Sequence, residues 1–268
     1  MVSSMAVAGV TGVAEASGQT DTAIETDGTG LTPSAETPES DEEAGPDADQ
    51  NVTVQSDATE IIVEDIDDLQ AVQNNLNANV ILRNDIDASE TENWNNGKGF
   101  DPIGDQQAPF TGTFDGRGYT IENLTINRPA ENNVGLFGYA GGYRADATIE
   151  NVRLENAEIT GGSQTGGLAG TLEEGPNSNS LVLYNAVAGD IKGSGYYAGG
   201  LVGFPTGGGS GQDAYGPVLD EENRFSGTVT GDDYVGGLIG RSNFGTEMGV
   251  GYVKDATITG DTYVGGLL

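Results

Sequence analysis

Apolar and polar residues are distributed unevenly along this chain of 268 residues. Leu, Ile, Val and Phe number 8 in residues 1–58 and 49 in residues 59–268. Only the second part can bury a core, because apolar burial must offset the entropy that a chain loses on folding. Residues 17–58 combine Thr, Ser, Pro, Gly and acidic residues with no Lys or Arg, and they are predicted to form a disordered acidic linker.

The N-terminal segment, residues 1–16, is small or apolar and carries no charge before Glu15. It ends in Ala14-Glu15-Ala16, which has the form of a signal-peptidase cleavage site. A complete export signal begins with a basic region, and no Lys or Arg is present here. We interpret residues 1–16 as the remnant of an export signal, and a flexible Ala/Gly leader is the alternative.

The first ordered elements are predicted to begin near Thr59. Ile61–Val63 is typical of a short β-strand, and Asp65 or Asp67 is a suitable N-cap for a following helix that ends at Asn77. The apolar face of this helix is formed by Leu69, Val72 and Leu76. We expect the helix to cover the open end of the elements that follow, because an uncovered end would expose apolar side chains and unpaired backbone groups.

A strand is predicted over Asn79–Asp87, followed by a polar loop at residues 89–98 around Trp94. Residues 59–130 are therefore assigned to an N-terminal cap and the first coils. Residues 131–268 are assigned to tandem repeats.

Five Gly-rich motifs recur along residues 131–268, and each has a central Leu. From Leu136 to Leu267 the successive Leu-to-Leu steps in sequence number are 32, 33, 37 and 29. The motif residues are Gly135, Leu136, Gly138, Gly166, Gly167, Leu168, Gly170, Gly199, Gly200, Leu201, Gly203, Gly236, Gly237, Leu238, Gly240, Gly265, Gly266 and Leu267. Before each of the last four motifs, a β-forming triplet that ends in Gly precedes the Leu at a nearly constant spacing. Each repeat is thus predicted to contain a strand, a Gly turn and a second strand.

These repeats predict an all-β parallel β-helix, or β-solenoid. The 32 glycines of residues 131–268 exclude helical repeats, since each interior Gly costs a helix about 1 kcal/mol. Stacked coils about 4.8 Å apart would pair each strand with its copy in the next coil. The motif glycines are expected to provide positive φ at corners and close backbone approach. Ile121–Leu124 and Ile149–Val152 are expected to occupy one rung position, with Asn123 stacked on Asn151.

Two segments, Phe100–Gly104 and Phe110–Ile126, resemble the entry segment of GLUG-motif repeat proteins, and the Gly-Gly-Leu-Val-Gly words resemble the GLUG repeat itself. The resemblance covers residues 61–268 and implies a right-handed β-helix on exported cell-surface proteins of bacteria and archaea. It also implies adhesin-like roles without catalytic residues in the repeat. Some IgA-cleaving metallopeptidases have similar repeats, but their zinc helix needs His, which this chain lacks. The last motif stops at Leu267–Leu268, which we interpret as a sign of a fragment.

The net charge and composition of the chain exclude further classes of function. Forty-two acidic and ten basic residues give a net charge of −32, which excludes a nucleic-acid binder. The absence of Cys and His excludes disulfides, structural zinc sites and Ser–His or Cys–His catalysis. Only 3 of the basic residues are Lys, and a surface so rich in carboxylates suits molar salt, where screening is strong. No apolar stretch reaches the length of a membrane span.

The candidate catalytic residues are Asp101, Asp105, Asp115 and Arg117, because a β-helix lyase or hydrolase would use carboxylates, with Ca²⁺ and an Arg base in a lyase. The run Asp115–Gly118 is equally typical of a tight turn between strands. We therefore favour a non-catalytic protein, with a polysaccharide lyase or hydrolase as the alternative.

Residues 208–216 match once the Gly-rich nonapeptide that binds Ca²⁺ in β-rolls, which makes Asp213 a candidate ligand. A calcium-ordered module is therefore a further alternative, although weak Ca²⁺ association with the acidic surface is the simpler expectation. Asn51 is a glycosylation candidate. Tyr196-Tyr197 and Phe204-Pro205 are candidates for a patch that stacks on sugars or contacts a partner.

The predicted role is that of a rigid stalk or adhesion surface, located outside the cell or on its surface in a haloarchaeal or other halophilic organism. Its predicted ligand is an envelope component, a protein or a glycan. Apart from weakly bound Ca²⁺, no cofactor is predicted.

Overall fold

A computed structural model describes residues 59–143, 145–176, 179–207, 215–220, 222–243 and 246–266. The predicted export-signal remnant at residues 1–16 and the predicted acidic linker at residues 17–58 lie outside the described residues. So do Asn51, Asp213 and Leu267.

The described residues form one α-helix, two 3₁₀ segments and twenty-one β-strands. In chain order these are β1 Glu60–Val63, α1 Ile66–Ala71, 3₁₀ Val72–Asn74, β2 Asn79–Leu82, β3 Ile86–Asp87, 3₁₀ Ser89–Gly97, β4 Thr113–Asp115, β5 Thr120–Glu122, β6 Thr125–Asn127, β7 Phe137–Gly142, β8 Thr148–Glu150, β9 Arg153–Gly161, β10 Thr165–Gly166, β11 Ala169–Glu174, β12 Leu181–Leu183, β13 Ala186–Gly193, β14 Tyr196–Gly199, β15 Val202–Thr206, β16 Val218–Asp220, β17 Asn223–Thr230, β18 Asp233–Gly236, β19 Glu247–Met248, β20 Gly251–Thr259 and β21 Thr262–Gly265.

The strands form four sheets, and every pair of neighbouring strands in them is parallel. The strand order is β1-β2-β4-β8-β12-β16-β19 in sheet A, β3-β5-β9-β13-β17-β20 in sheet B with β6 also on β9, β7-β11-β15 in sheet C, and β10-β14-β18-β21 in sheet D. In the two coils from β8 to β15 the chain passes from sheet A to sheets B, D and C, and each strand pairs with its counterpart in the next coil. The architecture is a β-solenoid of about five turns, which confirms the predicted fold class.

Apolar ladders fill the interior of the solenoid. In sheet A the inward positions pair directly from coil to coil and are at most 3% exposed. They are Val80, Phe114, Ile149, Val182 and Leu219. Each such side chain contributes about 1.5–3 kcal/mol when fully buried. No coil can enclose these side chains alone, so the stability of one coil depends on its neighbours.

Helix α1 covers one end of the stack, as predicted. The Asp65 carboxylate caps it by accepting the backbone N–H of Asp68 at 2.9 Å, and Leu69 and Val72 are fully buried. The helix ends at Ala71 and continues only as a 3₁₀ turn to Asn74, so it is shorter than predicted. Asn at positions 74, 75 and 77 disfavours a longer helix, because Asn has a low helix propensity.

Two glutamine side chains of this cap pair with backbone groups of residues 101–104. Gln70 both donates to Asp101 O at 3.0 Å and accepts from Asp101 N–H at 2.9 Å. Gln73 donates to Pro102 O and accepts from Gly104 N–H at 3.1 Å. These primary amides satisfy backbone groups that would otherwise be left unpaired at the end of the stack.

The predicted strand at Asn79–Asp87 is two strands, because the chain turns from sheet A to sheet B between Leu82 and Ile86. The predicted loop around Trp94 contains two 3₁₀ turns joined by a kink at residues 94–96, where the backbone is not helical, and Trp94 packs partly buried against the core.

The motif glycines provide close backbone approach, but the expectation of positive φ at these positions is wrong. A Cβ at Gly167 would lie 2.5 Å from the carbonyl oxygen of Gly200, and one at Gly203 would lie 2.6 Å from the backbone N of Thr165. Positive φ occurs instead at other positions, including one aligned position of sheet D where φ lies between 49° and 65°. Its residues are Asn133, Gln164, Tyr197, Tyr234 and Tyr263.

The expected stack of Asn123 on Asn151 is also wrong. Ile121 belongs to sheet B and pairs with Leu154, whereas Ile149 belongs to sheet A and pairs with Phe114. In the sequence, Ile149 lies nearer to Ile121 than to its true partner Phe114. The two similar words therefore occupy different sheets, although their spacing of 28 residues equals that of the paired residues Phe225 and Val253 in a later coil.

A buried asparagine ladder exists elsewhere, at the corner between sheets A and B. Asn185 and Asn223 are 0% and 2% exposed. Asn185 accepts the backbone N–H of Val152 at 3.0 Å and donates to Ile149 O at 2.9 Å. Asn223 accepts the backbone N–H of Asn185 at 3.1 Å. The side chains therefore satisfy buried backbone groups where the strands turn.

Candidate functional site

The predicted carboxylates Asp101 and Asp105 line one open depression of about 460 Å³ beside the cap, together with Glu131. Asp101 pairs with Arg128 at 3.0 Å, and Arg128 also pairs with Glu131 at 2.8 Å. Glu131 accepts from Lys98 at 2.9 Å, and this hydrogen bond lowers its pKa, with a smaller contribution from Arg128. The network ties the coils of the cap region together.

Asp105 has a local structural role. Its Oδ1 accepts the backbone N–H groups of Gln107 and Ala108, both at 2.8 Å. This pattern is that of an Asp that stabilises a turn. The carboxylate is therefore occupied by backbone N–H groups of its own turn.

The other two candidates, Asp115 and Arg117, lie at sheet A and do not line that depression. Asp115 accepts the N–H of Arg117 at 2.9 Å and the side-chain amide of Asn151 at 3.0 Å. Its other oxygen lies 3.6 Å from Arg117 Nε. Arg117 has φ of 50°, which fits the predicted turn. The four candidates are therefore not brought into one site.

Glu150 is a carboxylate that the sequence pattern did not single out. It pairs with Asp115 across sheet A, and burial, followed by the negative charge of Asp115, raises its pKa. This juxtaposition arises from strand register between residues of successive coils, which local patterns do not reveal.

No group of three or more acidic side chains positioned to hold a metal ion occurs within the described residues. Asp213 lies outside them, so the proposed calcium ligand has no structural description.

An aromatic ladder runs across sheet D at the edge that faces sheet C. Tyr197 stacks on Phe204 with ring centroids 4.8 Å apart, and Tyr234 stacks on Tyr263 at 4.6 Å. Arg241 lies over Tyr234 at 4.7 Å and donates to the Tyr197 hydroxyl at 3.1 Å. The ladder includes Tyr196, Tyr197 and Phe204 of the predicted patch. Tyr197 and Tyr234 are covered by a neighbouring ring and by Arg241, whereas Tyr196 and Tyr263 are 56% and 68% exposed.

A groove of about 630 Å³ crosses the outer face of sheet B and was not anticipated from the sequence. Its outward-facing residues come from β9, β13, β17 and β20. They include Arg153, Glu155, Ala186, Ala188, Arg224, Ser226, Tyr252, Lys254 and Asp255. Three of the ten basic residues of the chain meet here.

The fold and these surfaces define a parallel β-solenoid repeat module. No protein-family model matches the chain, and no solved structure matches it, so the GLUG resemblance stays a prediction. The chain is similar to halomucin of Haloquadratum walsbyi, with 40% identity over 149 residues, which is 53% of this chain and 2% of halomucin. It is also 40% identical over 65 residues to the "Putative Gly-rich membrane protein" of Evansella cellulosilytica, covering 24% of this chain and 7% of that protein.

The chain therefore spans only a small part of the relatives that it matches. Among the described residues, no helix is both long and apolar enough to cross a membrane.

Proposed function

We propose that this chain is a non-catalytic, exported cell-surface module of a halophile, which serves as a rigid stalk or an interaction surface. The similarity to halomucin, a haloarchaeal cell-surface protein, supports a surface location and a structural role. The net charge of −32 supports a high-salt environment, where a Debye length of about 3 Å at 1 M screens repulsion between carboxylates.

The observation that carries this proposal is the unbroken strand register of sheet A. Seven strands pair in parallel from β1 to β19, and the apolar ladder beneath them is continuous. A stack in which each coil covers the apolar side chains of the next coil resists bending, and it presents equivalent outward-facing positions at regular intervals.

Surface location is tested with an antiserum raised against the purified 268-residue chain. We expect it to label intact cells of the source organism as strongly as permeabilised cells. Labelling that requires permeabilisation would contradict the proposal. As a control, an antiserum against a cytoplasmic enzyme of the same cells should label only after permeabilisation.

Adaptation to salt is tested by thermal unfolding in KCl from molar concentration to about 0.1 M, where the Debye length grows to about 10 Å. We expect the unfolding temperature to fall steeply as salt is removed, because uncompensated carboxylates then repel one another. Full stability in dilute buffer would contradict the halophile assignment.

A carbohydrate-active enzyme is the second candidate, and the adjacent carboxylates Asp115 and Glu150 are the observation in its favour. We expect no cleavage when the chain is incubated with acidic and neutral polysaccharides in molar salt. Cleavage that is abolished by Asp115→Asn or Glu150→Gln, with unchanged folding, would overturn the non-catalytic proposal.

A calcium-ordered module is the third candidate. We expect a chelator at constant ionic strength to leave the unfolding temperature unchanged. A large decrease that Asp213→Ala reproduces would make calcium structural.

A further inference from the structure

The groove on sheet B owes its shape to two β-bulges. Strand β9 places Glu155 and Asn156 opposite the one residue Ala188 of β13, and β20 places Lys254 and Asp255 opposite Ser226 of β17. The strands β13 and β17 between them pair without a bulge. Bulges bend a strand and re-aim its side chains, and they are frequent beside functional sites.

The middle strands of the groove carry three small outward-facing residues, Ala186 and Ala188 on β13 and Ser226 on β17. Arg224 also lies on β17, and the other long side chains come from β9 and β20. Ala186 lies in register between Arg153 on one side and Arg224 on the other. The two arginines are therefore two strand spacings apart, about 9.6 Å between their Cα atoms, with only a methyl group between them.

Basic side chains are concentrated in the groove, where Arg153, Arg224 and Lys254 stand beside the acidic Glu155 and Asp255. Arg153 is exposed and has no ion-pair or hydrogen-bond partner among the described side chains. Arg224 pairs with Glu222 at 2.6 Å, and both side chains are more than half exposed. Two guanidinium groups that flank a small-residue gap can bind a carboxylate with several parallel hydrogen bonds.

The remaining groups suit a sugar that carries the carboxylate. The Tyr252 residue is 46% exposed, and the Arg224 guanidinium lies over its ring, 5.5 Å from the ring centroid. Glu155, Ser226 and Asp255 supply acceptors for hydroxyl groups beside the cationic donors. Aromatic rings together with mixed donors and acceptors match the apolar and hydroxyl-bearing faces of a pyranose ring.

An acidic peptide fits this groove less well. The strands that form it are hydrogen-bonded to neighbours on both sides, except at the outer edge of β20. A peptide laid across them would find no free backbone groups for strand addition, which is the usual source of affinity for extended peptides.

We propose that this groove binds uronate residues of an acidic polysaccharide, with Arg153 and Arg224 as the carboxylate ligands and Tyr252 as the stacking surface. The proposal rests on the proposed function, because it names the ligand class of the interaction surface. It assigns two arginines of the groove to recognition, in a chain whose net charge of −32 otherwise repels polyanions. Molar salt screens this long-range repulsion, whereas contact pairs with directional hydrogen bonds persist.

The test measures binding of oligogalacturonate to the 268-residue chain in molar KCl by isothermal titration calorimetry. We expect saturable binding that Arg153→Gln and Arg224→Gln each weaken about tenfold or more, because each removes charge-assisted hydrogen bonds. Arg83→Gln is the matched control, since Arg83 is exposed and lies outside the groove. It should leave the affinity unchanged. Circular dichroism establishes that all variants fold.

Two further probes define the ligand class. A neutral oligogalactoside of the same length should bind at least tenfold more weakly, and oligoglutamate should not compete. Equal binding of the neutral sugar would overturn the carboxylate role, and equal binding of oligoglutamate would overturn the choice of a saccharide. If oligogalacturonate fails to bind while intact cells are still labelled by the antiserum, the groove proposal fails and the surface location stands.

Discussion

Substitution of a motif glycine by alanine tests whether the coils are held at backbone contact. At Gly167 an added Cβ would lie 2.5 Å from the carbonyl oxygen of Gly200 in the next coil and 2.7 Å from Val187 Cγ1. Ordinary van der Waals contact begins near 3.4 Å, so the methyl group and the oxygen must move well apart. The Val187 side chain can shift, but the carbonyl can move only if the two coils separate.

This separation has a calculable cost. The same carbonyl accepts the backbone N–H of Gly167 at 3.2 Å, and loss of such a bond costs about 1 kcal/mol. Overpacking adds roughly 1–3 kcal/mol, so we expect Gly167→Ala to lower the free energy of unfolding by about 3 kcal/mol. For a folded region of this size, that lowers the unfolding temperature by roughly 6–12 °C.

Gly266 provides the matched control, because it occupies the same motif position and an added Cβ would meet no atom within 4 Å. Gly266→Ala should change the free energy of unfolding by no more than about 0.5 kcal/mol. The assay is thermal unfolding in molar KCl, followed by circular dichroism. Equal effects of the two substitutions would contradict backbone contact between coils at Gly167, because the different conformational preferences of Gly and Ala would then explain both effects.

Two other substitutions probe the buried polar groups. Burial raises the pKa of Glu174 to about 7, and the charges of Asp146 and Glu247 add to this after a smaller opposing hydrogen bond from Ser180. The folded state therefore favours the protonated form, so this stabilising contribution is complete below about pH 4.5 and is lost as the pH rises through 7. Glu174→Gln should thus reduce the fall in unfolding temperature between about pH 5 and pH 8. Glu122→Gln, at an exposed position, is the control and should leave this fall unchanged. Identical pH profiles for Glu174→Gln and the parent protein would contradict the role of Glu174. Asn185→Ala should lower the free energy of unfolding by about 3 kcal/mol, because Val152 N–H and Ile149 O lose their buried partner. The exposed control Asn127→Ala should cost less than about 0.5 kcal/mol in the same denaturant titration.

The repeating part of the fold could be predicted from the sequence because each motif keeps its Leu and its glycines at a nearly constant spacing. Leu168 and Leu201 are fully buried, and their positions are fixed by local words that recur once per coil. The helix could be predicted for a similar reason, since Asp65 and the apolar face are local signals. Its end could not, because the apolar spacing up to Leu76 suggests a longer helix, whereas Asn74, Asn75 and Asn77 have low helix propensity.

The backbone conformation at the corners could not be predicted. Positive φ is predicted at the motif glycines, whereas in sheet D it falls on Tyr197 and Tyr234, whose rings stack on Phe204 and Tyr263. The motif glycines instead allow the backbones of adjacent coils to approach closely, because glycine has no Cβ.

The groove on sheet B could not be predicted either. Arg153 and Arg224 are distant in the sequence, and they meet because two intervening coil steps bring both into register with Ala186. The lengths of those steps depend on loops and bulges whose size the pattern of apolar residues does not determine.

The most direct test of the solenoid is a distance measured along the outer face of sheet A. Asn79 and Glu247 occupy the same rung position five strand spacings apart, through Thr113, Thr148, Leu181 and Val218. The chain has no Cys, so Asn79→Cys and Glu247→Cys can carry spin labels specifically. Double electron–electron resonance should give a narrow distribution consistent with a Cα separation of about 24 Å. A broad distribution, or one centred far from this separation, would contradict a continuous parallel stack.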